Sequence, residues 1–246
     1  MSAHVEDNGD QTKASLFGDI SSVVIAAHEL KAPLSLLRQL SLSLADETID
    51  QNEQKEIVQH MILTSERAMR LTGDLTRAHK LQTQLFELEP VNSQQLCEDV
   101  AYELAPLYLA HGREIRVCKR RQSLLAVANR DLLHRVMLNF ADNALHYAGG
   151  NAPVELSASS HAKGSVIRLG VRDYGPAIPI DTLSSLVGEQ LIRPQALAAR
   201  PGSSGLGLSI AKQFAEAMNG TIGATRHRDG VTFYVDMQAS RQLNLL

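Results

Sequence analysis

The chain has 246 residues with 24 Lys+Arg against 27 Asp+Glu, a net charge of −3 and both signs interspersed, so no global field argues for nucleic acid or an anionic membrane surface. Hydrophobic residues make up 44%, enough for one large domain or two modest ones. No segment approaches the ~20 apolar residues of a membrane span, which excludes an integral span within these residues.

Residues 1–15 are polar and read as a disordered leader without a signal-peptide pattern. Residues 16–84 are helical in pattern. Val23, Ala27, Leu30, Leu34, Leu37 and Leu44 form one apolar stripe. After a polar break at 46–53, Ile57, Met61, Thr64, Ala68, Leu71, Leu75 and Ala78 alternate steps of four and three. Such a seam packs at a shallow angle against other helices. Two helices with a short polar link make an antiparallel hairpin, and one hairpin leaves part of both stripes uncovered. Two hairpins in a four-helix bundle cover them, so a homodimer through residues 20–80 is expected.

The pattern changes after Pro90. A helix is expected from Ser93 to about Ala110, short strands at 114–118 and 124–128, and a helix at 130–148. The compact basic run Lys119-Arg120-Arg121 reads as a solvated turn. Residues 154–159 and 165–172 alternate as strands joined by a turn. Residues 174–204, rich in Gly, Pro and Ser, form a long irregular stretch between two glycine motifs, the pattern of a lid over a ligand. A helix at 206–218 and a hairpin of 221–226 with 231–237 close the chain. The expected class is an α-helical hairpin followed by an α+β sandwich, with a mixed sheet and helices on one face, over 85–240. Cys97 and Cys118 have no CxxC partner and read as free thiols of a reducing compartment, so the expected location is the cytoplasm.

Four constellations carry chemistry. In Ala27-His28-Glu29-Leu30-Lys31-Ala32-Pro33, His28 flanks the apolar stripe. Its imidazole is a competent nucleophile near neutral pH, and Glu29 can take or orient its proton. Pro33 clashes with the carbonyl of Glu29 and is expected to bend the helix after His28. In Asn139-Phe-Ala-Asp142-Asn143-Ala-Leu-His146-Tyr147, Asn139 and Asn143 share a helix face. Their oxygens can ligate Mg²⁺ and their amides can bond phosphate oxygens, with His146 in reach and Tyr147 offering a ring. Asp173-Tyr-Gly175 follows a strand, where the carboxylate can accept from an exocyclic amine and Gly175 permits a positive φ. Gly205-Leu206-Gly207-Leu208 opens a helix whose unpaired N–H groups make an anion site, without being a P-loop or a dinucleotide fingerprint.

In this order the four resemble the bacterial two-component histidine kinases over roughly 20–238: His28–Pro33 looks like the H box, Asn139-x-x-x-Asn143 the N box, Asp173-x-Gly175 the first glycine box and Gly205–Leu208 the second. The resemblance implies a HisKA-type dimerisation hairpin, a HATPase_c domain of the GHKL fold shared with gyrase and mismatch-repair ATPases, ATP and Mg²⁺ as cofactors, and a response-regulator receiver as partner. It implies Mg²⁺ on Asn139, phosphates near Asn143, His146, Gly205 and Gly207, adenine read by Asp173, and phosphorylation of His28. Three positions depart from the pattern. Ala177 stands where a glycine is usual. Ala32 lacks the hydroxyl or amide that orients water for phosphatase activity, so that activity is expected to be weak. Residues 174–204 contain no Phe, with Leu186 or Leu191 as stand-ins. The competing readings are a degenerate kinase acting as a dimeric scaffold, and a related-fold ATPase or serine kinase that needs no phosphoacceptor histidine.

Overall fold

The computed structural model describes residues 20–45, 49–81, 86–119, 124–147, 152–175 and 206–241. The expected leader, most of the expected lid with Ala177, Leu186 and Leu191, and Gly205 lie outside these residues.

Two long helices come first, α1 (Ile20–Leu44) and α2 (Gln51–Lys80), packed along each other as the hairpin pattern requires. α2 begins inside the stretch read as a polar break, because Asp50 caps it. The Asp50 carboxylate accepts from the N–H groups of Glu53 and Asn52 at 2.9 and 2.7 Å, and those bonds hold its pKa below the usual carboxylate range. α1 runs on through Pro33, so the proline does not end the helix.

The remaining elements are β1 (Glu89–Asn92), α3 (Ser93–Ala110), β2 (Ile115–Val117), β3 (Leu125–Ala128), α4 (Arg130–Tyr147), β4 (Val154–His161), a single 3₁₀ turn (Ala162–Gly164), β5 (Val166–Asp173), α5 (Leu206–Ala217), β6 (Thr221–His227) and β7 (Gly230–Gln238). The main sheet has the order β2-β4-β5-β7-β6; β2 and β4 are parallel and the rest antiparallel, so the sheet is mixed as expected. β1, not anticipated from sequence, pairs antiparallel with β3 and puts Asn92 in place to cap α3 through the N–H groups of Gln94 and Gln95.

Alternate residues of the strands face the helices: Val154, Leu156 and Ala158 on β4, Ile167, Leu169 and Val171 on β5, Phe233, Val235 and Met237 on β7, all buried. Leu104, Leu133, Met137, Phe140, Ile210 and Phe214 meet them from α3, α4 and α5. Phe140 stands beside Phe233 with ring centroids 6.1 Å apart. Tyr108, fully buried, donates its phenol proton to the carbonyl of Ala141 at 2.8 Å and ties α3 to α4. Neither cysteine is in a disulfide. Burial pushes the Cys97 thiol up to about 12, which keeps it unreactive at neutral pH.

The C-terminal half of α2 does not serve the bundle seam alone. Leu63, Leu75 and Ala78 are buried in the same apolar cluster as the sandwich core. Beside them runs a line of charges on α2, Arg67, Arg70, Asp74 and Arg77, spaced for one helix face. Arg67 lies 3.4 Å from Asp142, Arg77 lies 3.1 Å from Asp131, and Asp74 accepts from Arg135 at 2.6 Å. Asp74 is only 6% exposed, and burial raises its carboxyl pKa against the opposing pull of Arg135. Asp74→Ala leaves the half-buried Arg135 guanidinium with only the Asp131 carboxylate at 3.5 Å and is expected to cost about 2 kcal/mol in urea unfolding, with most of it recovered by swapping the two charges. A loss below about 0.5 kcal/mol, the scale of an exposed pair, would contradict this.

Candidate functional site

α4 has two faces. Leu133, Val136, Met137, Phe140, Ala141 and Ala144 pack into the core. The other face carries Asp131, Arg135, Asn139, Asp142 and Asn143 at helical spacing. Asn129 sets the start of the helix by accepting from the N–H of Leu132 at 3.1 Å. The amide nitrogens of Asn139 and Asn143 are both buried and have no hydrogen-bond partner. Asn139 faces the Asp74 carboxylate without bonding it in good geometry. Two unpaired donors on adjacent turns are a cost of about 1–3 kcal/mol each that the fold itself does not require.

The N-terminus of α5 abuts this face. A Cβ built on Gly207 would lie 3.3 Å from Oδ1 of Asn139, closer than ordinary packing allows, so glycine lets the two helices approach. Leu206 is the first residue of α5, and Leu208, Ser209 and Ile210 are buried behind it. The first N–H groups of such a helix have no partners within it and favour an anion. The second and fourth constellations of the sequence therefore meet.

Asp173 ends β5 and is 3% exposed. Its Oδ1 accepts from the N–H of Val231 at 3.2 Å. The Tyr108 phenol has its pKa raised by burial and by the Asp142 and Asp173 carboxylates, and α4 packs against β5. Gly175 lies at the bend that follows. His146 and Tyr147 belong to the last turn of α4, and His28 and Glu29 to α1; the placement of these four side chains, and that of Leu206, lies outside the described residues. Both α1 and α2 touch α5, so the helix that bears His28 meets the helix that bears Gly207.

Among the described residues no group of three or more His, Cys, Asp or Glu side chains could cage a metal. One carboxamide oxygen, on Asn139, faces the gap between α4 and α5. That donor set fits a hard cation held mainly by phosphate oxygens of a ligand, the way Mg²⁺ is usually carried, and does not fit a metal bound by protein alone. This region of the fold thus carries buried amide donors beside a helix N-terminus, and a buried carboxylate at the end of β5.

Sequence reasoning missed Asp74 and Arg135, whose partners are 61 residues apart. The evenly spaced charges of α2 were a signal that it faced another polar helix rather than only solvent.

Residues 128–241 match the family described as histidine kinase-, DNA gyrase B-, and HSP90-like ATPases. The chain is 27% identical over 227 residues to the sensor protein VanS of Enterococcus faecium, covering 90% of this chain and 57% of that protein. It spans little more than half the length of the first curated relatives it matches. Among solved structures, full-length ShkA in complex with AMPPNP superposes with a TM-score of 0.59 at 22% identity, over 92% of this chain and 48% of that one. The histidine kinase ThkA in complex with the response regulator protein TrrA gives 0.60 at 18% identity, over 92% of this chain and 62% of that one. These likenesses show a shared fold. Among the described residues no helix is long and apolar enough to cross a membrane.

If the two amides are kept for a ligand and not for the fold, Asn143→Leu is expected to raise the stability of the ligand-free protein by about 1 kcal/mol in chemical denaturation. A loss of similar size would mean that the amide has a structural partner.

Proposed function

We propose that this chain, whose residues 128–241 match the histidine kinase-, DNA gyrase B- and HSP90-like ATPase family and which is similar to sensor and histidine protein kinases, is the autokinase core of a two-component system: it binds Mg·ATP between α4 and α5, phosphorylates His28 and passes the phosphoryl group to a response-regulator aspartate. The observation that carries this reading is the pair of buried, unpartnered amides of Asn139 and Asn143 against the glycine-opened N-terminus of α5.

On this reading Asn139 lends its oxygen to Mg²⁺ and Asn143 donates to phosphate, with His146 and Tyr147 one turn on. Gly205, Leu206, Gly207 and Leu208 bring main-chain N–H groups to the phosphates. Asp173, with Gly175 after it, reads the adenine amine. Mg²⁺, when bound, neutralises phosphate charge. The ring nitrogen of His28 forms a bond to the γ-phosphorus as the bond to the bridging oxygen breaks, and ADP leaves. Glu29 takes or orients the ring proton. Beyond that, positioning and electrostatics supply the catalysis. Contact of α1 with α5 supports delivery to the hairpin.

The reading includes a homodimer. Leu30, Leu34, Leu37, Ala68, Met69 and Thr72 line a groove of about 790 Å³ between α1 and α2. Leu34 and Met69 remain 58% and 64% exposed, more apolar surface than a lone hairpin usually leaves bare. A second hairpin covers it and completes a four-helix bundle. Leu34→Glu with Met69→Lys is expected to convert a dimer to monomer in sedimentation at tens of micromolar; a wild-type monomer at that concentration would contradict the dimer.

Incubation with γ-labelled ATP and Mg²⁺ is expected to give acid-labile, base-stable label. His28→Ala, Asn139→Ala and chelation of Mg²⁺ are each expected to abolish it. Tight ATP binding without phosphohistidine would leave the scaffold reading, and label retained in His28→Ala would remove the proposed acceptor.

A further inference from the structure

What holds Asp173 in place is a turn 56–58 residues further along the chain. Asp173 stands opposite Val231 in the β5–β7 ladder, and the Val231 N–H donates to its Oδ1 at 3.2 Å. The preceding residue, Gly230, has φ +141. A Cβ built there would lie 2.9 Å from Oδ1 of Asp173 and well inside contact distance of its main-chain carbonyl. No L side chain adopts that backbone without strain, and none fits the space. The neighbours on each side are clamped together: Arg172 donates to Oδ1 of Asp229 at 2.6 Å. Across the same turn a ring nitrogen of His227 lies 2.9 Å from the Thr232 hydroxyl.

We propose that the β6–β7 turn, through Gly230 and the Arg172–Asp229 pair, is a positioning element that fixes the Asp173 carboxylate and thereby sets the preference for a purine with a 6-amino group. The proposal rests on Asp173 as the base-reading residue. An ionised carboxylate only accepts hydrogen bonds. It matches the 6-amino donor of adenine and opposes the 6-oxo acceptor of hypoxanthine or guanine. Discrimination of this kind is large only when the acceptor cannot swing away. The Val231 N–H anchors one oxygen, and Gly230 lets the turn sit close enough for that bond to form. Arg172 and Asp229 hold the turn over the strand end.

The test compares Mg·ATP with Mg·ITP by calorimetric titration of the full chain, in wild type and in Asp229→Ala, Gly230→Ala and Asp173→Ala. Asp229 is 66% exposed, so its loss is expected to leave the fold intact. Both turn variants are expected to lower the ATP:ITP affinity ratio, Gly230→Ala by about tenfold and Asp229→Ala by less, through weaker ATP binding with ITP little changed. Arg172→Gln replaces Gly230→Ala if the latter fails to fold by circular dichroism. Equal weakening of both nucleotides, or a wild-type ratio in the folded turn variants while Asp173→Ala collapses it, overturns the positioning role and leaves Asp173 as the reader. An unchanged ratio in Asp173→Ala overturns the reading of Asp173 itself, and the present proposal with it.

Discussion

Two carboxamides on one face of α4 stay buried beside the N-terminus of α5 with their donors unpaired, and the rest of the site is arranged around that cost. The opposite face of α4 fills the core completely, from Leu133 to Ala144. A helix under no other constraint would place Leu or Ala at 139 and 143 and gain stability. Gly207 repeats the compromise on α5, since any larger residue would press on Asn139 and close the gap. Unsatisfied polarity concentrated at a helix N-terminus is the mark of a site completed by an anion.

The same polar stripe of α4 also faces the hairpin. Asp131 and Arg135 lie two turns and one turn before Asn139, and they are the residues that Arg77 and Asp74 engage. One helix therefore presents both the unpaired amides and the contacts that seat α2. On the proposed reading, the position of the acceptor helix and the position of the nucleotide are referred to a common element. Misplacement of a reacting group by about 1 Å is costly in transfer chemistry, so a shared reference helix has a clear physical use.

Much of this was legible in sequence because local pattern and final environment agree. The core-facing residues of α4 and the alternation in β4 and β5 follow directly from burial on one side, and the expected 130–148 helix is observed as Arg130–Tyr147. β1 was not legible: its four residues include Pro90 and show no alternation, and it is a strand only because β3 pairs with it. The regular seam of α2 predicts bundle core to its end, yet Leu75 and Ala78 are buried with the sandwich, since periodicity fixes a face and not what covers it. The sequence marks Asp173 as a strand-end carboxylate, but its support from Gly230 and Val231 comes from the adjacent strand, far along the chain. The Asp-Gly signal announced a turn there and nothing about its neighbour. Glu29, His28, His146 and Tyr147 were chosen for their chemistry and spacing, and their side chains fall outside what the structure describes.

On the proposed reading the amides of Asn139 and Asn143 are the contact points for Mg·ATP. Their side-chain NH₂ resonances, assigned by substitution in ¹⁵N-labelled protein, report this directly. Titration with Mg and a non-hydrolysable ATP analogue should shift both signals in step with saturation, while amides remote from α4 and α5 stay fixed. Saturable nucleotide binding that leaves both signals unmoved would contradict the central claim.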